Sequence, residues 1–145
     1  MSVLRFLFLP TGRLNRAKYW LGALLSGVII LVGSTLFAYA YLASLLGEDS
    51  TAVQLIVVPI FLLDFWVAIA ITAKRLHDMD ASAWWFLPIW LLSSALSVPR
   101  MPTLNAIGML VGISTTLILG GVEGTIGPNR FGPDPLKREV GSPSP

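Results

Sequence analysis

The chain of 145 residues is 54% hydrophobic, 12% charged and carries a formal net charge of +2, with a mean hydropathy of +0.75. Soluble domains average about 25% charged residues, so a water-soluble globule of this size is excluded, and the small positive excess reads as a topology signal with no nucleic-acid partner expected. The absence of cysteine removes disulfides, thiolate nucleophiles and Cys-ligated metals.

Met1 to Lys18 reads as a cytoplasmic lead-in whose apolar piece, ending at Pro10, lies at the lipid surface so that Phe6, Leu7 and Phe8 are covered. Val3 to Leu9 is too brief for the apolar region of a cleavable signal and is followed by basic residues, so the first span is expected to act as an uncleaved anchor. Four apolar runs follow, over residues 20–46, 52–73, 83–98 and 104–122. At 1.5 Å per residue the first reaches about 40 Å and overshoots the bilayer core, which calls for tilt, whereas the third reaches about 24 Å. The loops between them at Gly47 to Thr51 and Pro99 to Thr103 are too small for an outer domain. Pro59 and Pro88 are expected to bend their helices.

Lys and Arg are retained on the cytoplasmic side of a membrane. With the N-terminus inside, Arg5, Arg13, Arg16, Lys18, Lys74, Arg75, Arg130, Lys137 and Arg138 are cytoplasmic and Arg100 alone is outside. If the short third run did not cross, the bias would fall to seven against three. The expected fold is therefore all-α, an integral membrane bundle of four transmembrane helices with N- and C-termini cytoplasmic. Residues 1–135 form its single domain, and residues 136–145, ending in Gly-Ser-Pro-Ser-Pro, form a flexible cytoplasmic tail.

That topology gathers three charged and aromatic clusters on one face: Gly12 to Trp20, Lys74 to Asp78 with Ser82 to Trp85, and Gly127 to Pro135. Arg13 and Arg16 share a helical face, as do Arg16 and Trp20. Their guanidinium groups are suited to lipid phosphates or to Asp78 and Asp134 of the other clusters. Lys74 and Arg75 stand one helical turn before Asp78, at ion-pairing spacing. His77 is the only histidine, and a lone histidine builds no zinc site without several carboxylates. Trp20, Trp84 and Trp85 fall where helices enter lipid, matching an interfacial aromatic belt. The closing Gly-Pro-Asn-Arg-Phe-Gly-Pro-Asp-Pro is rigid turn chemistry that gives Asn129, Arg130 and Asp134 fixed directions, as a structural cap or as a ligand-binding rim.

Within the spans, Asp64 is an isolated acid that must be protonated or paired. It is either an ion or proton site or a carboxyl bonded to a hydroxyl such as that of Ser34, Thr35, Ser114 or Thr115. Gly108 and Gly112 make a G-x-x-x-G face for close helix packing, and Ala23 and Gly27 a weaker one.

The patterns G-R-x-x-R-x-x-Y-W, R-L-H-D with S-x-W-W, and G-x-N-R-F-G-P-D-P, in order from Thr11 to Pro135, resemble the small bacterial inner-membrane proteins grouped as domain of unknown function 805. Arg13, Arg16, Tyr19, Trp20, Arg75, Leu76, His77, Asp78, Ser82, Trp84, Trp85, Asn129, Arg130, Gly132, Asp134 and Pro135 fall on the motif positions of that family. The chain departs from it at Asp80 and Ala83, where glycines are usual, and at Ala81, where a basic residue is common. The resemblance implies a helical bacterial inner-membrane protein without an assigned activity.

The functional expectation is a non-enzymatic accessory or scaffold protein. It packs against a larger membrane complex, contacts lipid headgroups through its cap and needs no cofactor. Two rival uses are a small transporter or channel working through Asp64, and a membrane enzyme acting on phosphate-bearing lipid through the Arg cluster with His77 and Asp78.

Overall fold

The computed structural model of the chain describes residues 2–96 and 101–137. The expected end of the third span, Pro99 and Arg100 of the second loop, and the tail from Arg138 onward lie outside the described residues. Among these residues five α-helices follow one another: α1 (Val3–Phe8), α2 (Arg16–Leu45), α3 (Thr51–Asp78), α4 (Phe86–Leu96) and α5 (Pro102–Gly121). A 3-10 turn over Ala83–Trp85 leads into α4. Among the described residues the only extended pairing is an isolated bridge between Asn129 and Gly132.

Local chemistry sets these boundaries. Asn15 caps α2 by accepting from the Lys18 N–H at 3.0 Å, which starts the helix a turn before its apolar run. Gly47 takes φ +80 just past the end of α2, where a left-handed residue closes a helix. Asp49 Oδ1 accepts from the Thr51 N–H at 2.9 Å at the head of α3, and the Thr51 hydroxyl and backbone hold the Asp49 carboxyl below its usual range. Helix α3 continues through Pro59 and past its apolar run to Asp78. Pro102 opens α5, where its missing N–H is no loss.

Among the described residues three helices, α2, α3 and α5, are long and apolar enough to cross a membrane, and the shorter apolar stretch Ala83–Leu96 accompanies them. Close approaches define the antiparallel register of α2 and α3. A Cβ on Gly22 would stand 2.6 Å from Ile71 Cδ1, and one on Gly33 would stand 3.2 Å from Ile60 Cγ2. Between them, the Ser26 hydroxyl donates to Asp64 Oδ1 at 2.6 Å. The buried apolar cluster of Leu14, Tyr19, Val67, Ile71, Leu76 and Leu119 sits toward one end of the bundle. Elsewhere the long helices leave Leu24, Leu31, Leu55 and Leu62 exposed, an apolar surface suited to lipid rather than water.

Helix α1 does not simply rest on a surface. It packs along α3, with the Trp66 indole donating to the Phe8 carbonyl at 3.0 Å. The Lys74 ammonium donates to the carbonyls of Arg5, at 3.1 Å, and Phe6. The chain then returns to the end of α3, where the Leu14 N–H donates to the Lys74 carbonyl at 3.1 Å.

Candidate functional site: a buried polar cap

The start of α2, the end of α3, the end of α5 and the segment after it meet at one end of the bundle, and the three sequence clusters meet with them. Two helices finish there and α1 finishes alongside α3. A helix C-terminus exposes its last four carbonyls and about half a negative charge. Converging C-termini therefore favour buried cations.

The end of α5 illustrates the rule completely. Arg75 Nε donates to the Leu119 carbonyl at 2.6 Å, the Trp20 indole to Gly120 at 3.2 Å and Arg16 Nη1 to Gly121 at 3.3 Å. Arg75 Nη2 takes Val122. Side chains from the first two sequence clusters thus satisfy every carbonyl that the helix leaves unpaired. Arg75, with 0% exposure, also donates through Nη1 to the Leu14 carbonyl at 3.2 Å and to Asp78 Oδ2 at 2.5 Å.

Asp78 is the anionic centre. Its Oδ1 receives Arg13 Nε at 3.0 Å while Oδ2 receives Arg75, so one carboxylate joins two buried guanidinium groups. Arg13 then reaches the closing segment, donating through Nη1 to the carbonyls of Gly127 at 2.6 Å and Gly132 at 3.3 Å, and through Nη2 to that of Thr125. Thr125 in turn donates its N–H, at 2.8 Å, and its hydroxyl, at 2.9 Å, to the Asp78 carbonyl at the end of α3. Gly124 is essential to this approach, because a Cβ there would overlap the Asp78 carboxylate.

The third cluster lies over this centre. Asn129 donates to the His77 carbonyl at 2.8 Å and to the Thr125 hydroxyl at 2.9 Å, and its own carbonyl oxygens hold the tight turn to Gly132. Phe131 stacks on His77 with ring centroids 3.9 Å apart and planes 9° apart. The His77 Nδ1 faces the Gly12 carbonyl at 3.2 Å; because that oxygen can only accept, Nδ1 carries the proton. Asp134, buried, accepts from the N–H groups of Gly127 at 3.3 Å and Leu136 at 2.8 Å. Arg130 is on the exposed side, paired with Asp80 at 3.2 Å and placed over the Phe131 ring at 4.7 Å.

The remaining residues singled out in the sequence lie elsewhere. Arg16 is half-exposed and pairs with Glu123 at 2.8 Å, not with Asp78. Trp84 and Trp85 are exposed at the rim. Asp64 is buried in the α2–α3 interface with Ser26 as its partner, in place of the four hydroxyls expected. Gly108 is buried, but a Cβ on Gly112 or Gly27 would meet nothing within 4 Å; the tight helix approach is instead at Gly22 and Gly33. Lys74 does not serve Asp78; its ammonium goes to α1. Leu14, Glu123, Gly124 and Thr125 complete the cap without having been signalled by spacing, since each acts through contacts distant in sequence.

Asp80 takes φ +57, a left-handed conformation that Asp tolerates better than most residues. The chain thus has at this position the geometry a glycine would supply, and adds a carboxylate that holds Arg130.

The model of the family described as "Protein of unknown function (DUF805)" matches residues 7–133. "Uncharacterized protein YiiR" of Escherichia coli (strain K12) is 31% identical, over 92% of this chain and 90% of that protein. "Inner membrane protein YhaH" of the same organism is also 31% identical, over 86% of this chain and 84% of its own length. No solved structure matches.

Proposed function

We infer that this chain, which belongs to the DUF805 family of proteins of unknown function, is a non-enzymatic inner-membrane scaffold that packs against a larger membrane complex. The observation that carries the reading is the internal saturation of the cap. A site built to bind phosphate or to move protons presents free donors, whereas Arg75 donates only to Leu119, Leu14, Asp78 and Val122. Arg13 is occupied in the same way. The buried cluster acts as a clamp on helix ends, and headgroup contact falls to the exposed rim of Arg16, Arg130, Trp20, Trp84 and Trp85.

Four crossings with both ends cytoplasmic follow from this reading. Helix α5 ends in the cap and begins about 30 Å away, since its 20 residues each rise 1.5 Å. The chain leaves the cap end at Ala83, and α4 (Phe86–Leu96) packs along α5, which supports a run in the opposite direction. The basic residues Arg5, Arg13, Arg16, Lys18, Lys74, Arg75, Arg130 and Lys137 belong to the cap end, which supports a cytoplasmic cap. The inner membrane is the location named for the relative YhaH. Residues 1–135 act as one domain in this account, with the tail separate.

The rival uses lack such support. Both oxygens of Asp78 accept from guanidinium groups, so His77 and Asp78 form no proton-transfer pair. Asp64 accepts from Ser26. The test is gentle purification of tagged protein from its native membrane, followed by native mass determination. A stoichiometric larger complex is expected; a lone monomer carrying only phospholipid would overturn the scaffold assignment.

A further inference from the structure

Beneath the cap, α2 and α5 part from one another. They meet where the Trp20 indole covers Gly120, but beyond that contact the positions of Gly27 and Gly112 face open space. A cavity of about 390 Å³ lies there, walled by Ile30 of α2, Ala68 of α3, Phe86 and Trp90 of α4, and Gly112 and Leu119 of α5. A second void of about 240 Å³ shares Tyr19, Ile30, Ala68, Thr72 and Thr116 with it and adds Ser26. Gly27 and Thr116 also border an outer groove of about 490 Å³ beside Leu24, Val28 and Leu31. Those three leucine and valine side chains are exposed. Shared walls set the three spaces side by side from the lipid-facing surface inward.

The walls define the occupant. No charged side chain lines either void, which removes phosphate headgroups and ions. Hydroxyls of Tyr19, Ser26, Thr72 and Thr116 line the smaller void, and the larger shares three of them, adds Ser93 and Thr115, and sets them against the apolar wall of Phe86, Ile89, Trp90 and Leu119. Such a division, mostly apolar with a few placed polar groups, is that of a small-ligand site. Water is disfavoured in that apolar space, where cavities stay dry and admit apolar molecules.

We propose that the bundle holds an uncharged membrane amphiphile, with a hydroxyl end that donates to the hydroxyl oxygens among Tyr19, Ser26, Thr72 and Thr116 and a hydrocarbon chain against Phe86, Ile89 and Trp90. The amphiphile is the donor, since Ser26 and Thr116 already donate their own protons to Asp64 and the Gly112 carbonyl. It enters between α2 and α5. The site is independent of the scaffold reading, since its lining carries none of the buried ion pairs of the cap.

The test uses a long-chain fatty alcohol bearing a photoactivated diazirine in its chain, added to the full-length protein in phospholipid nanodiscs, with crosslinks mapped by mass spectrometry. Labelling of the lining near Ile30 and Gly112 to Thr116 should saturate and fall at least fivefold with excess unlabelled hexadecanol. Labelling of the outward Leu62 and Leu110 should rise linearly and resist competition. Gly112→Leu fills open space, so it should fold with an unchanged unfolding temperature and lose the saturable labelling severalfold; Gly27→Val serves the same purpose if the first variant misfolds. Linear, uncompeted labelling of the lining, an unlabelled lining, or saturable labelling that persists in a folded filled variant would each overturn the proposal. Equal competition by a fatty acid with an ionised headgroup would overturn the uncharged class.

Discussion

Gly124 lies so close to Asp78 that a single added methyl group would occupy the space of the carboxylate. The neighbouring segment cannot retreat without breaking the bonds from Thr125 to the Asp78 carbonyl. Gly124→Ala should therefore disturb both buried ion pairs at once. Losing the partner of a buried charge costs about 3–5 kcal/mol, and the variant should show a loss of that order in reversible unfolding from mixed micelles. A change below about 1 kcal/mol would mean that the cap relaxes freely.

Asp80 separates backbone from side-chain effects. Its φ of +57 penalises a side chain that cannot bond locally by about 1–2 kcal/mol, while its exposed pair with Arg130 is worth roughly 0.2–1 kcal/mol. Asp80→Gly should be nearly neutral and Asp80→Ala distinctly worse, by about 1 kcal/mol, in the same unfolding measurement. Equal effects would show that conformation does not matter at this turn.

Lys74 and α1 form a local unit. Lys74→Met keeps the apolar stem and removes the donors to the Arg5 and Phe6 carbonyls. Unsatisfied buried acceptors cost about 1–3 kcal/mol. Amide hydrogen exchange should accelerate over residues 3–9 while the α2–α3 interface keeps its protection. Unchanged exchange in α1 would show that the ammonium does not hold it.

Asp64→Asn retains an acceptor for the Ser26 hydroxyl and should fold with a change under about 1 kcal/mol, whereas Asp64→Ala leaves that hydroxyl without its partner and should cost about 1–3 kcal/mol. Thermal unfolding of both variants checks the order. Reversal of the order would indicate that the charge itself, rather than the hydrogen bond, matters at this depth.

Much of this was legible in the residues. Long uncharged runs located the helices, and the distribution of Arg and Lys brought Arg13, Arg75 and Asn129 to one end. What spacing could not supply was pairing between distant segments. At i and i+4, Lys74 reads as a partner of Asp78, yet α1 folding back beside α3 offers it helix-terminal carbonyls. Ser26 was not distinguishable as the partner of Asp64 because the register of α2 against α3 depends on Gly22 and Gly33, small residues scattered among many. Likewise, Gly112 belongs to a G-x-x-x-G pattern but faces a cavity, since the pattern states only that close approach is permitted. Gly124 looked like an ordinary linker glycine, and only the three-dimensional return of the chain over Asp78 gives it a task.

The clamp is tested most directly by a double-mutant cycle between Arg13 and Asp78, using Arg13→Met, Asp78→Asn and the pair, with Arg16 and Glu123 as the exposed reference. The buried pair, 3.0 Å apart with both side chains almost inaccessible, should show a coupling of about 2 kcal/mol or more, against under about 1 kcal/mol for the reference. Coupling near zero between Arg13 and Asp78, with both single variants folded, would contradict the account.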